Sequence, residues 1–261
     1  MSIPLKHSLS VARRELLSMI VSPVAYGVVA GFLLLTGYFF FNLLGTYNLK
    51  LAQYAALPVK DGSTVPSLQE WVIEPYFQIL IFLLLFALPF LTMRIFAEEK
   101  RQGTFDLLSV SPLSSTSLVL GKYVAVVLLS FVMCCGSFTF PVFLWFHSSL
   151  EISLLLSGSL GVLFSALLFC VIGIVFSTLT DRQVLAGGAS LCFSLMLYFS
   201  HSFSDSVSTT LAPLFVRLSP VTQTEDLIRG ALSLSNLVYF ASFILFGLFA
   251  CISFVSFQRE R

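Results

Sequence analysis

The residues of this chain that could do covalent chemistry are few. Histidine and cysteine, the usual transition-metal ligands, number three and five in 261 residues. The cysteines all fall in apolar stretches, where a small apolar packing role is expected, and the adjacent Cys134 and Cys135 would point to different helix faces. No His-Glu-x-x-His, Cys-x-x-Cys or Gly-x-Ser-x-Gly motif occurs, which removes the usual support for a metallohydrolase or a serine hydrolase. We predict no catalytic residue and no metal site.

Charged side chains instead concentrate in one polar segment, residues 94–122. A glycine at position 103 and a proline at position 112 divide this segment, which predicts a charged helix end followed by a short helix. Thr104 is suited to cap that short helix and Asp106 lies favourably in its first turn. Phe105, Leu107 and Leu108 give that short helix apolar faces, and a helix joined directly to two spans can transmit movement from a soluble partner.

The composition shows which elements must position this segment. Charged residues make up 10% of the chain and apolar residues 57%, against roughly 25% charged residues in an ordinary soluble domain. So few charges cannot cover the surface of a soluble enzyme of this size. The net charge of +1 does not indicate nucleic-acid binding. We therefore predict an all-α integral membrane protein.

The spacing of the charges predicts six transmembrane helices in a single domain, residues 1–261. Six stretches without Asp, Glu, Lys or Arg are each about as long as the roughly 20 residues that a helix needs to cross a bilayer. Runs such as Ile79–Leu85 do not alternate in polarity, as the strands of a membrane β-barrel would. The predicted spans are residues 24–45, 75–96, 119–146, 152–179, 184–201 and 236–257.

Lysine and arginine predict the orientation of the chain. With six spans, ten of these residues fall on the side of both termini and four on the other. The positive-inside rule then places both termini in the cytoplasm. The first span is longer than the apolar core of a signal peptide, so we expect no cleavage there. Residues 46–74 are expected to form an outer loop, and residues 202–234 to form short outer helices.

Before the first span, residues 8–21 predict an amphipathic helix. Leu9, Ala12 and Leu16 recur with the period of one helical face, while Arg13 and Arg14 lie off that face. Such a helix lies on the inner leaflet with its basic residues near the headgroups. The alternative is a solvated extension of the first span.

In residues 94–122 an ordered set resembles the signature of type-2 ATP-binding-cassette (ABC) transporter permeases. The pattern is two glutamates and a basic residue, then Gly-Thr, an acidic residue, Leu-Leu, proline, and Gly-Lys at the next span. The six spans and the amphipathic helix are also similar to that family, and the permeases of the bacterial gliding-motility type look most alike. The residues that carry the pattern are Glu98, Glu99, Lys100, Gly103, Thr104, Asp106, Leu107, Leu108, Pro112, Gly121 and Lys122.

The resemblance implies a non-catalytic permease subunit of an ATP-driven exporter or extruder in a bacterial inner membrane. The chain has no Gly-x-x-x-x-Gly-Lys-Ser/Thr loop, so ATP and Mg would be bound by a separate ATPase subunit and no cofactor by this chain. Further implied partners are a second permease protomer, identical or related, membrane lipids and an extracytoplasmic accessory subunit, but no nucleic acid. Gly27 and Gly31 would allow close helix approach in the first span.

By the same resemblance, three groups of residues have roles: coupling to the ATPase, the connector helix, and the re-entry to span three. We expect Glu98 and Glu99 to be solvated charges that dock on a basic groove, so that the fold would tolerate their reversal. The ATPase-coupling residues are Glu98, Glu99, Gly103, Thr104, Phe105, Asp106 and Leu108; those of the connector helix are Arg13, Arg14 and Glu15; and those at the re-entry to span three are Gly121 and Lys122.

Two other functions compete with this interpretation. A secondary transporter or channel usually needs ionisable residues in mid-membrane, and the predicted spans have none near their centres. An integral-membrane enzyme acting on lipid would need a cluster of acidic or histidine residues at one face. The outer candidates Asp205, Glu225, Asp226 and Arg229 match no catalytic spacing. A lipid, drug, peptide or glycan would each suit a path lined by Phe, Leu and Ser.

Overall fold

The computed structural model describes residues 3–56, 66–104, 114–148, 151–206 and 212–259, and in these ranges the chain is helical with short connections and no strand. A π-helical turn, Gln69–Ile73, leads into the third helix, and a 3₁₀ segment, Phe199–Ser206, follows the seventh. In chain order the helices are α1 (Ile3–Val21), α2 (Pro23–Ala56), α3 (Glu74–Thr92), α4 (Ala97–Arg101), α5 (Ser115–His147), α6 (Ile152–Leu179), α7 (Gln183–Tyr198), α8 (Ala212–Leu218), α9 (Pro220–Ile228) and α10 (Leu234–Arg259).

Six helical stretches in the described ranges are long and apolar enough to cross a membrane. They confirm the predicted fold class of an all-α membrane protein with six transmembrane helices. Each corresponds to one predicted span, with bounds that differ by a few residues at most ends. The six stretches are Pro23–Ala56, Gln69–Arg101, Ser115–His147, Ile152–Leu179, Gln183–Ser202 and Leu234–Arg259.

The predicted outer loop at residues 46–74 is wrong in its first part, because α2 continues through Ala56. Residues 46–56 contain neither glycine nor proline, so nothing stops a helix already formed from continuing beyond the charge-free stretch. At about 1.5 Å per residue its 34 residues span roughly 51 Å, well beyond a hydrocarbon core of about 30 Å. Residues 57–65 lie outside the described ranges.

Helix α6 is the centre of the bundle and contacts α3, α5, α7, α9 and α10. In the most apolar 18-residue stretches of α3, α5 and α6, 61% of the residues are buried in the bundle, against 22–28% in those of α2, α7 and α10. Small residues allow the close approach of the central helices. A Cβ added to Gly173 of α6 would overlap Thr92 Oγ1 of α3.

The ends of the bundle carry the shorter helices. Helix α1 includes the predicted residues 8–21, begins earlier at Ile3, and packs against α5 through buried Val11 and Ala12. Its position on a membrane leaflet stays a prediction. Helices α8 and α9 confirm the short helices expected within residues 202–234. Helix α9 is anchored on α6, where a Cβ at Gly161 would lie 3.2 Å from Leu227 Cβ.

Candidate functional site

The polar segment begins where α3 ends, and α6 fixes the turn between α3 and α4. The backbone N–H groups of Phe96 and Ala97 donate to Ser177 Oγ at 3.0 and 3.2 Å, and Ser177 Oγ donates to Met93 O at 3.2 Å. One buried hydroxyl therefore satisfies groups that the break in the helix would leave unpaired. At its other end α4 is closed by Gly103, whose φ of 68° suits glycine.

Lys122, near the start of α5, is a fully buried cation. Its Nζ lies 2.8 Å from Glu99 Oε2 and donates to Ile95 O at 2.8 Å and to Glu15 Oε1 at 3.3 Å. The same nitrogen lies 4.8 Å from the centre of the Phe96 ring. A buried charge is costly unless opposite charges or hydrogen bonds compensate it, and two carboxylates and a carbonyl do this for Lys122.

Arg14 completes the arrangement from α1. Its Nη2 donates to Glu15 Oε1 at 2.8 Å and lies 3.5 Å from Glu99 Oε1. The hydrogen bond with Glu15 raises the pKa of the Arg14 guanidinium, so this side chain stays charged. We call Arg14, Glu15, Glu99 and Lys122 the charge cluster. It has two charges of each sign and joins α1, α4 and α5.

Gly121 brings α1 close enough to α5 for the charge cluster to form. A Cβ at this position would lie 2.7 Å from the Ser8 carbonyl oxygen and 2.8 Å from Val11 Cβ. The backbones of the two helices therefore touch at a point where no larger residue fits. The predicted re-entry pair of Gly121 and Lys122 thus has a definite structural role as the contact with α1.

A second ion pair lies beside the charge cluster. Arg94 Nε is 3.1 Å from Glu98 Oε2, and Arg94 Nη1 donates at 2.8 Å to Ser22 Oγ, at the break between α1 and α2. Gln102 Nε2 donates to Glu98 Oε1 at 3.3 Å. Glu98 therefore belongs to a partly buried network that connects the α1–α2 break with α4.

The end of α6 also holds α4, through a carbonyl. Lys100 Nζ donates to Thr178 O, and Gln258 Nε2 of α10 donates to the same oxygen at 3.3 Å. The last carbonyls of a helix lack partners within it and attract cations. Sequence reasoning missed Ser177 and Thr178, because serine and threonine are also common in membrane helices where they bond only their own backbone.

The structure brings together five residues of the predicted site: Arg14, Glu15, Glu99, Gly121 and Lys122. Arg13 and Gly103 are exposed and are not members of the charge cluster. Thr104, expected to cap the next helix, donates through Oγ1 to Glu99 O at 3.2 Å. The predicted short helix, with Phe105, Asp106 and Leu108, lies outside the described residues.

The expectation that Glu99 is a solvated charge is wrong. Its side chain is 17% exposed and its two oxygens face Lys122 and Arg14. The carboxylate is held inside because it compensates a buried cation, which no sequence pattern announces. Glu99→Lys would set a third cation against Lys122 and Arg14, so the fold is not expected to tolerate it.

Gly27 and Gly31, expected to allow close helix approach, meet no partner in the described part of the chain. A Cβ built on either glycine has no neighbouring atom there within 4 Å. Among the described residues, no three His, Cys, Asp or Glu side chains come together in a way that could hold a metal ion.

Comparison with protein families matches residues 42–257 to the family described as ABC-2 family transporter protein. The match covers most of the chain, from the middle of α2 to the end of α10, and α1 precedes it. No curated protein matches the chain.

Proposed function

The chain belongs to the ABC-2 family of transporter proteins, and we propose that its charge cluster transmits force between the membrane helices and a separate ATPase subunit. Family membership makes it an integral-membrane permease subunit of an ABC transporter, as its sequence predicts. Membrane permeases of this family work with an ATPase subunit. In our proposal ATP and Mg are bound there, because this chain has no phosphate-binding loop. The gliding-motility subgroup stays a prediction.

The observation that carries the proposal is the position of α4. This helix directly follows a transmembrane helix, and its end exposes Arg101, Gln102 and Gly103. The next residues along the chain are Phe105, Asp106 and Leu108, which the family resemblance assigns to docking. A partner that contacts this end of α4 would push on a helix already joined to three others.

Those joints support transmission of force. Glu99 connects α4 to α5 and α1 through Lys122 and Arg14, and Ser177 connects the start of α4 to α6. Removing one partner of a buried ion pair costs about 3–5 kcal/mol, so separating these charges during a movement is strongly unfavourable. We infer that α1, α4 and the beginning of α5 move as one body.

The distribution of basic residues and the family together support a cytoplasmic position for α4. Ten of the 14 Lys and Arg residues fall on the side of α1 and α4 when six spans are counted, which favours the cytoplasm for that side. An ATPase in the cytoplasm would then meet α4. We propose export across a bacterial cytoplasmic membrane by a pair of permease protomers, identical or related, together with an accessory subunit on the extracytoplasmic side.

Co-purification tests the docking step. Gln102→Trp places a large side chain on the exposed end of α4. The matched control, Arg217→Trp, places the same side chain at an exposed position of α8, at the opposite end of the bundle. We expect Gln102→Trp to reduce the ATPase recovered with the chain at least tenfold, which corresponds to about 1.4 kcal/mol, at unchanged membrane levels. Arg217→Trp should recover as much ATPase as the wild type. Equal recovery by both variants would contradict docking at α4.

A further inference from the structure

A cavity of about 790 Å³ lies beside the charge cluster, in the angle between α1 and α2. Arg14 and Ser18 of α1 line it on one side, and Arg94 and Glu98 on the other. Its volume falls in the range of about 300–1,000 Å³ that is typical of sites for small molecules. The coupling function proposed above makes no use of this space.

The polar wall of the cavity presents accessible charges of both signs. The Arg14 side chain is 60% exposed, which makes its guanidinium the most open cation of the wall. Glu98 is 29% exposed, against 17% and 14% for Glu99 and Glu15, so its carboxylate is the most open anion. Counting Arg94 and the buried Lys122 that lies behind Glu15 and Glu99, three cations face three carboxylates, so a ligand without net charge suits the wall better than an anion.

The opposite edge of the cavity is apolar and faces outward. Val24 at the start of α2 is 41% exposed, and Phe90 near the end of α3 is 48% exposed. Both belong to stretches that cross the membrane, close to the ends where the charged residues begin. Exposed apolar side chains at that depth contact acyl chains. In a bilayer crossed by α2 and α3, the cavity would join a polar pocket near the headgroups to an apolar surface that faces the lipid tails.

We propose that this cavity binds the headgroup of a zwitterionic phospholipid that carries a primary ammonium, as phosphatidylethanolamine does. The phosphate lies at Arg14, the ammonium donates to Glu98, and an acyl chain follows Val24 and Phe90. A primary ammonium has three N–H donors for the carboxylate and the Ser18 hydroxyl, whereas the quaternary ammonium of phosphatidylcholine has none. An anionic headgroup such as phosphatidylglycerol has no ammonium for Glu98 and adds a negative charge that the balanced wall does not match.

Native mass spectrometry of the purified full-length chain tests the site. The chain in detergent is mixed with equal amounts of phosphatidylethanolamine, phosphatidylcholine and phosphatidylglycerol. We expect phosphatidylethanolamine to be retained at least fivefold over each of the others. Ser18→Trp fills the cavity and should reduce that retention to the level of the other lipids. Leu17→Trp, on an exposed neighbouring position that does not line the cavity, should retain lipid like the wild type.

Two further measurements sharpen the result. Glu98→Gln removes the accessible carboxylate, so the ratio of phosphatidylethanolamine to phosphatidylglycerol should fall at least fivefold. Glycerophosphoethanolamine, the same headgroup without acyl chains, should not displace the lipid at equal concentration, because it lacks the contact with Val24 and Phe90. Thermal unfolding of each variant checks that it is folded. Equal lipid retention by folded Ser18→Trp and wild type, no preference among the three lipids, or displacement by the free headgroup would overturn the proposal.

Discussion

Replacing Lys122 with methionine removes the buried cation that holds Glu15 and Glu99 in place. Methionine fills much of the volume of the lysine stem, so the change is mainly electrostatic. The two carboxylates, 14% and 17% exposed, lose a nitrogen that lies 3.3 and 2.8 Å from them and are left with Arg14 alone within the charge cluster. Leaving such buried charges uncompensated costs about 3–5 kcal/mol. At roughly 2–4 °C per kcal/mol, the Tm should fall by roughly 6–20 °C.

The assay is thermal unfolding of the purified chain in detergent, with Arg13→Met as the matched control. Arg13 is an exposed cation on α1, so its removal should change stability by no more than about 0.5 kcal/mol. Adding Glu99→Gln to Lys122→Met removes one of the unpaired carboxylates and should recover part of the lost Tm, although Glu99→Gln alone lowers it. If Lys122→Met unfolds within 2 °C of Arg13→Met, the charge cluster does not stabilise the chain.

Three further changes test other parts of the structure. Gly121→Ala should push α1 away from α5, lower the free energy of unfolding by about 1–3 kcal/mol and make α1 sensitive to limited proteolysis. In the control Gly188→Ala, the added Cβ meets no described atom within 4 Å, so stability and protease resistance should stay unchanged. Ser177→Ala should lower the free energy of unfolding by about 1–3 kcal/mol because two buried N–H groups lose their acceptor. The hydroxyl of Ser190 bonds only the carbonyl of Gly187 in its own helix, so Ser190→Ala should destabilise the chain less in the same thermal assay. Cysteines introduced at Gly62 and Asp205 should react with an impermeant thiol reagent on intact cells, and one at Gln102 only after the membrane is opened; labelling of Gln102 from outside would refute the orientation.

The sequence predicted the six spans because the charge-free stretches and the crossing length of a bilayer set them almost alone. It failed at residues 46–56, where a helix continues into polar residues that neither composition nor charge distinguishes from a loop. The helix continues there because it is already formed and because these residues include no glycine or proline that would end it.

The sequence singled out residues of the charge cluster but not their arrangement. The resemblance to ABC permeases singled out Glu15, Glu99 and Lys122 from three separate segments. Their contact depends on Gly121, which lets α1 lie against α5, and on the turn that Ser177 fixes at the start of α4. These are tertiary contacts between residues up to 107 positions apart, so no local pattern could show that Glu99 faces inward.

The central claim is that the end of α4 meets the ATPase subunit, and site-specific photo-crosslinking in cells tests it most directly. A photoreactive residue is placed at Arg101 on α4 or, as control, at Arg217 on α8, and the products are identified by mass spectrometry. We predict that Arg101 captures a protein with a Gly-x-x-x-x-Gly-Lys-Ser/Thr loop and that Arg217 does not. Capture of such a protein at neither position, or equally at both, would contradict the claim.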